Sequence, residues 1–162
     1  MQSDIFTIIL RLTPSKPLME TLPQEILQTF KQMVRSDPGL NDAIFAFLQQ
    51  RAKSPSIQVK LLTFQLLNYL FCRSCHFRSI FCKSHIVPFI ECFTNDLPPP
   101  EKTAETLQSL VKIAIKEWRI KYGNIYKQLI ILEKIIRPRI TREQKIKIKQ
   151  AAHMNDLIDV VK

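Results

Sequence analysis

The sequence predicts an all-α fold of about eight short helices. Long segments with helical periodicity are separated by clusters of prolines, of which the chain has ten, and only two glycines occur among its 162 residues. A sheet-rich fold needs many tight turns, and two glycines do not supply them. The hydrophobic share of 46% is enough for one compact core and excludes disorder as the general state.

The segment Ser54–Phe71 is predicted to be the central helix. Ser54 fits the N-cap position and Pro55 fits the first helical position. Apolar side chains occupy most of the helix circumference, so we expect neighbouring helices to contact it from more than one direction. Its polar side chains fall on two narrow sides, with Gln58, Gln65 and Asn68 on one and Lys60 and Thr63 on the other. The segment is too short and too often interrupted to span a bilayer, and no transmembrane segment is expected.

Three helices are predicted before the central one. The first covers Ser3–Leu12 and ends at the sequence TPSKP. The second opens at Thr21, whose spacing to Gln24 fits a capping box, and continues to about Arg35. The turn sequence SDPGL follows, and Asn41 is predicted to cap the third helix.

After the central helix, two short helices are predicted at Cys75–Cys82 and His85–Phe93. Pro88 lies in the first turn of the second one, where a missing amide hydrogen is tolerated. The proline-rich loop TNDLPPP precedes a long helix over Glu101–Tyr122. Gly123 is predicted to end that helix in the left-handed conformation that glycine favours.

The chain becomes strongly basic towards its C-terminus. Residues 1–100 carry ten Lys and Arg against seven Asp and Glu, whereas residues 101–162 carry fourteen against seven. Asn124 is predicted to cap a helix that ends before Pro138. We therefore expect a helical domain over residues 1–137 and a basic extension over residues 138–162, with the capacity to form one further helix.

Two groups of basic residues are candidates for partner binding. Arg73 and Arg78 lie near the end of the central helix, where they serve either as interaction charges or as caps of nearby carbonyls. The second group is Arg137, Arg139, Arg142, Lys145, Lys147 and Lys149. It is either a solvated basic face or a contact for an acidic protein or a nucleic-acid backbone. The absence of aromatic residues beyond Arg137 argues against base stacking there.

A cluster of thiols and imidazoles follows the central helix, comprising Cys72, Cys75, His76, Cys82, His85 and Cys92. The first three match a haem-attachment pattern, but this chemistry needs an exported chain, and no export signal is expected here. Zinc ligation is the second interpretation, with a spacing shorter than zinc fingers use. The favoured interpretation is buried, reduced thiols that pack as small hydrophobic groups. No metal, cofactor or catalytic residue is expected, and an enzyme is the least favoured class.

Three aromatic residues surround the end of the long helix. Trp118, Tyr122 and Tyr126 follow one another at spacings of four and straddle Gly123. Their predicted role, with the glycine, is structural, because they are placed to lock the long helix onto its successor. A surface aromatic pocket is the alternative.

Three motifs resemble the N-terminal domain of the UV-stimulated scaffold protein A family. They are LFCRSCHFR at residues 70–78, LPPP at residues 97–100 and EWRIKYGNIYKQL at residues 117–129. The family shows a similar R-S-H-x-F-R turn, a proline-rich loop of the same kind, and a W-x-x-x-[FY]-G-x-x-Y helix junction. The likeness covers about residues 3–137. Cys75 stands where the family places histidine, so no role of that histidine is transferred to this chain.

The resemblance implies a right-handed helical superhelix similar to VHS and ENTH domains. It also implies a non-catalytic scaffold in transcription-coupled nucleotide excision repair, in the chromatin of the nucleus. Such a scaffold would connect stalled RNA polymerase II and the Cockayne syndrome proteins with the TFIIH repair complex. The VHS-like domain would contact the Cockayne syndrome A subunit and its ubiquitin ligase, and ubiquitin is a further candidate partner. Direct contact with nucleic acid stays open.

A VHS- or ENTH-like fold also suits a different class of protein. Endosomal adaptors use it to bind ubiquitin, sorting signals or phosphoinositides, and this is the alternative function. The family's TFIIH-binding segment and its C-terminal zinc-binding domain lie outside these 162 residues. The complete bridging role is therefore not expected from this stretch of sequence by itself.

Overall fold

Residues 2–136, which the computed structural model describes, form a stack of helices. The α-helices are α1 Gln2–Leu12, α2 Gln24–Ser36, α3 Asn41–Ala52, α4 Ile57–Arg73, α5 Cys75–Lys83, α6 Ile86–Glu91 and α7 Glu101–Tyr122. A 3-10 helix over Pro38–Leu40 precedes α3, and residues 128–136 are helical up to the end of the described chain. No strand occurs anywhere within residues 2–136. The all-α prediction is confirmed, and the arrangement is consistent with a VHS-like superhelix.

Helix α4 is the centre of the stack, as the sequence predicts. It contacts α1, α3, α5 and α7, and its buried positions extend around the helix rather than along one stripe. The two polar sides are also largely enclosed: Gln58 is 6% exposed and Lys60 is 8% exposed. A buried polar group is costly without an internal hydrogen-bond partner, and both Gln58 and Lys60 bond to segments packed around α4.

The predicted starts of α4 and α2 are wrong. A local hydrogen bond explains the difference at α4, and proline sterics explain the difference at α2. Helix α4 begins three residues after Ser54, because the Ser54 hydroxyl accepts the Ser56 amide hydrogen at 3.1 Å and so favours a turn. Ser56 caps the helix by accepting the Val59 amide hydrogen. Helix α2 begins without a side-chain cap after Pro23, because a residue preceding proline disfavours helical geometry.

The third helix also starts differently from the prediction. Asn41 is the first residue of α3 and not its cap, because the 3-10 helix runs directly into α3 at Leu40. The Asn41 side chain instead donates from Nδ2 to the Pro38 carbonyl at 2.7 Å. This bond fastens the 3-10 helix to the beginning of α3.

Lys60 joins three helices. Its Nζ donates to the Ala52 carbonyl at 2.6 Å and to the Cys92 carbonyl at 2.8 Å. Ala52 ends α3 and Cys92 directly follows α6, so one ammonium group satisfies carbonyls at two helix C-termini, where the helix dipole is negative. Burial lowers the pKa of Lys60 below its ordinary value by penalising the charged form.

Gln58 fastens the connection between α1 and α2 to the central helix. Its Nε2 donates to the Pro14 carbonyl at 2.9 Å and to the Pro17 carbonyl at 2.8 Å. Its Oε1 accepts the Met19 amide hydrogen at 2.9 Å. A long connection without secondary structure is thereby held against the core by one side chain of α4.

Replacing Lys60 with alanine is expected to lower the free energy of unfolding by about 3 kcal/mol. Two buried carbonyls lose their donor, and the removed side chain leaves a void. Urea unfolding followed by circular dichroism measures the loss. The matched control is Lys53→Ala, which changes an exposed side chain and should alter stability by less than about 0.5 kcal/mol. Equal stability of the Lys60→Ala and unmodified chains would contradict this role.

Candidate interaction surface

Trp118 and Tyr122, two aromatic residues near the end of α7, pack against α4. Trp118 is 1% exposed, and its ring stacks on Phe71 with 4.2 Å between centroids. Its Nε1 donates to the Asn68 Oδ1 at 2.8 Å. The edge of one of the Tyr122 and Phe71 rings faces the other ring, with 5.6 Å between their centroids. Tyr126 is half-buried against the core. Trp118 and Tyr122 therefore lie at the contact between α7 and α4, whereas the sequence predicts that the aromatic residues join α7 to its successor.

The backbone of Gly123 has the right-handed helical conformation, with φ of −62°, so the predicted left-handed conformation is wrong. The position suits glycine for a different reason, because a Cβ there would lie 2.4 Å from the Arg119 carbonyl oxygen. That carbonyl accepts the Gly123 amide hydrogen at 2.8 Å. Arg119 also forms an ion pair with Glu133, which ties α7 to the helical residues that follow. The corner therefore needs the absence of a side chain.

Arg78 lies inside the corner between α4 and α5. Its Nη1 donates to the Phe71 carbonyl at 2.6 Å, and its guanidinium lies 4.2 Å from the centroid of the Tyr122 ring. This half-buried side chain caps a carbonyl in the last turn of α4 and makes a cation–π contact with α7. From the sequence, Arg78 is expected either to cap a carbonyl or to bind a partner. The hydrogen bond to Phe71 shows the capping role, and partner binding stays a prediction.

Arg73 has a different environment although it is only five residues away. Its side chain is exposed, and its guanidinium lies 4.3 Å from the centroid of the Tyr69 ring. No acidic residue of the range 2–136 forms an ion pair with it. The stacking contact orders the guanidinium while its N–H groups stay available to a partner.

Two grooves open on either side of the Tyr69–Arg73 stack. The larger, here called the α2–α4 groove, has a volume of about 540 Å³ and includes the beginning of α5. Its lining residues are Phe30, Lys31, Val34, Arg35, Pro38, Asn41, Tyr69, Leu70, Arg73, Ser74, Cys75 and His76. The smaller groove, of about 280 Å³, is lined by residues of α2, of α4 and of the chain just before α2.

The structure brings together only part of the predicted site. Arg73 lines the α2–α4 groove and Arg78 does not. The remaining six basic candidates, from Arg137 to Lys149, lie outside the described residues. Lys31 and Arg35 are groove residues that the sequence analysis missed. Their spacing of four marks one face of α2, but the sequence does not show that this face lies next to Arg73.

The cysteines have different environments. Cys82 is buried, as expected, whereas Cys72 and Cys75 are exposed, so the prediction of buried thiols is wrong for these two. Both lie at the corner between α4 and α5, where the chain turns away from the core. Burial raises the pKa of the Cys82 thiol to about 12. Within residues 2–136, no three His, Cys, Asp or Glu side chains are grouped as metal ligands.

The described residues thus form an all-α domain built as a stack of helices, consistent with a VHS-like superhelix. The sequence profile of the UVSSA N-terminal domain matches residues 2–139. The chain therefore belongs to this family. Among residues 2–136, no helix combines the length and the apolar character needed to cross a membrane.

Individual relatives carry the same family description. The chain is similar to "UV-stimulated scaffold protein A" of Bos taurus, with 31% identity over 114 residues. It is also similar to the proteins of that name from Danio rerio, at 26% identity, and Xenopus tropicalis, at 28% identity, each over 113 residues. Each match covers 67% of this chain but only 15–16% of the relative. The chain thus corresponds to a small part of the relatives' length.

Alkylation by iodoacetamide at about pH 8 is expected to label Cys72 and Cys75 rapidly and Cys82 slowly. With a pKa of about 12, roughly one Cys82 thiol in ten thousand is ionised at that pH, and the thiolate is the nucleophile. Mass spectrometry of digested protein measures each site. In guanidinium chloride all four cysteines should react at similar rates. Rapid labelling of Cys82 in the folded chain would contradict its burial.

Gly123→Ala is expected to destabilise the chain by about 2 kcal/mol, because the new methyl group collides with a backbone carbonyl. Gly39→Ala is the matched control. The nearest atom to its new Cβ, at 3.1 Å, is the Asp37 side-chain oxygen, which moves more easily. Thermal unfolding should show the larger decrease for Gly123→Ala. An equal decrease in both variants would show that the close approach at Gly123 is unimportant.

Proposed function

We propose that this chain is a non-catalytic protein-interaction domain of a scaffold in transcription-coupled nucleotide excision repair. The observation that carries the proposal is the match of residues 2–139 to the UVSSA N-terminal domain. The relatives are named scaffold proteins, and a scaffold acts by holding partners rather than by chemistry. The packed helical stack with one larger basic groove is compatible with such a role.

The proposed partners are the RNA polymerase II elongation complex and the Cockayne syndrome A subunit with its associated ubiquitin ligase. Ubiquitin is a further candidate, and the proposed location is the chromatin of the nucleus. In the proposed division, residues 1–137 form the VHS/ENTH-like domain and residues 138–162 form a basic extension. Residues 138–162 carry six Lys and Arg against three Asp and Glu, and this excess supports contact between that extension and an acidic protein surface or nucleic acid.

The purified chain is expected to bind the purified Cockayne syndrome A subunit saturably in surface plasmon resonance. Neutralising the six basic positions from Arg137 to Lys149 should weaken the interaction and reduce its salt dependence, because fewer charges attract the partner. A matched control replaces three exposed lysines of α7, Lys102, Lys116 and Lys121, with glutamine.

Vesicle flotation with phosphoinositide liposomes tests the alternative function, that of an endosomal adaptor. The repair proposal predicts no specific binding to these vesicles. Specific binding to them, combined with no measurable affinity for the Cockayne syndrome A subunit, would overturn the proposal in favour of an endosomal adaptor.

A further inference from the structure

We propose that the α2–α4 groove binds an acidic peptide segment that carries an apolar anchor residue. This inference rests on the proposed protein-interaction function and names the chemistry of one partner. The groove volume of about 540 Å³ lies within the range of about 300–1,000 Å³ that is usual for binding sites. It offers an apolar floor, a basic rim and one buried acceptor.

The floor of the groove is continuous with the hydrophobic core. Phe30 is fully buried and Leu70 is 3% exposed, while Val34 and Tyr69 are half-buried against the same core. An aliphatic or aromatic side chain that enters the groove would exchange water for these surfaces. The core behind the floor is packed, so the floor is preformed and does not have to be ordered on binding.

The rim of the groove carries positive charge without a compensating acid. Lys31, Arg35 and Arg73 line it beside His76, and no Asp or Glu is among its twelve lining residues. Within residues 2–136, none of these three cations forms an ion pair with an acid. The nearest acid along the chain is Asp37, and its carboxylate accepts the Gly39 amide hydrogen at 3.1 Å. A carboxylate partner would supply the missing negative charge.

Two groups that line the groove have hydrogen-bonding capacity that the described chain does not use. Stacking on Tyr69 holds the Arg73 guanidinium in place, and its free edges suit a bidentate bond to carboxylate. Asn41 lines the groove, is 1% exposed, and has a side-chain oxygen that accepts no hydrogen bond in the described chain. A buried acceptor without a donor is costly, and a peptide N–H group entering the groove is a suitable donor.

The same features favour a peptide over a nucleic acid or a membrane. Single-stranded nucleic acid needs open aromatic faces for stacking, but Arg73 already covers Tyr69. A membrane needs exposed apolar side chains beside the basic ones. Within residues 2–136, the exposed large apolar residues are Leu10, Leu18, Ile113, Ile120, Ile125 and Ile131, and none of them lines the groove.

Fluorescence anisotropy tests the inference with a labelled peptide in which leucine and phenylalanine are flanked by glutamates. We expect saturable binding that weakens as salt is added. The double variant Arg35→Glu with Arg73→Glu should bind roughly tenfold or more weakly, because charge-assisted bonds are replaced by repulsion. The matched control is Lys116→Glu, which changes an exposed lysine of α7 outside the groove and should bind normally.

A second peptide with glutamine in place of glutamate separates charge from apolar burial. It should bind roughly tenfold more weakly than the acidic peptide. Equal binding of the two peptides, or unchanged binding by the double variant with an intact circular dichroism spectrum, would overturn the inference. Stronger competition by a single-stranded oligonucleotide or a phosphoinositide vesicle for the same residues would also overturn it.

Comparing the two ligands on the unmodified chain distinguishes this inference from the repair proposal. If the unmodified chain binds the acidic peptide through the groove but not the Cockayne syndrome A subunit, the repair proposal fails and the groove assignment stands. If the subunit binds but no acidic peptide does, the groove assignment fails and the repair proposal stands. Methyl NMR of Val34 reports directly whether the peptide occupies the groove, and an unchanged signal at saturation would contradict the assignment.

Discussion

The burial of α4 is the constraint on which the rest of the structure depends. A helix enclosed by four others cannot leave its buried polar side chains in water, so most of them bond to a neighbouring element. The buried Thr63 hydroxyl, which has no partner in the described chain, is an exception. Gln58 holds the connection before α2, Lys60 joins the ends of α3 and α6, and Asn68 receives the indole N–H of Trp118. The polar residues that interrupt an apolar helix are therefore the ones that fix its neighbours in place. Apolar contact drives the packing, and these bonds specify its geometry.

The candidate site follows from where this enclosure ends. In its last turn, α4 exposes Arg73, and α5 turns away beyond the Ser74 cap. Helix α2 lies alongside and supplies the other wall of the groove. The floor thus combines apolar residues of α2 and α4 that pack on the core, while the rim carries basic residues in contact with solvent. Such an arrangement combines a rigid surface with charges that are free to pair, which lowers the entropic cost of binding a peptide.

The sequence predicts most helices but not how their faces are paired. The bounds of α7 are predicted correctly, because Pro100 and Gly123 mark both ends locally. The hydrogen bonds of Lys60 could not be predicted from the sequence, because their acceptors lie 8 and 32 residues away. The acceptors are also backbone carbonyls, which every residue carries, so the pattern of side chains does not reveal them. The groove is harder still to predict. Its basic rim combines Lys31 of α2 with Arg73 of α4, and only the folded arrangement of the whole stack brings them to one groove.

The departure from the family pattern lies in this groove. In the turn where the family has R-S-H, this chain has Arg73, Ser74 and Cys75, with His76 one position later, and all four residues line the groove. A thiol replaces an imidazole at one position, so the wall there loses a group that can carry positive charge and donate two hydrogen bonds. The arginine that stacks on Tyr69 is retained. If the groove binds an acidic peptide as proposed, the charge that would recognise a carboxylate is therefore kept, while the shape and polarity beside it differ.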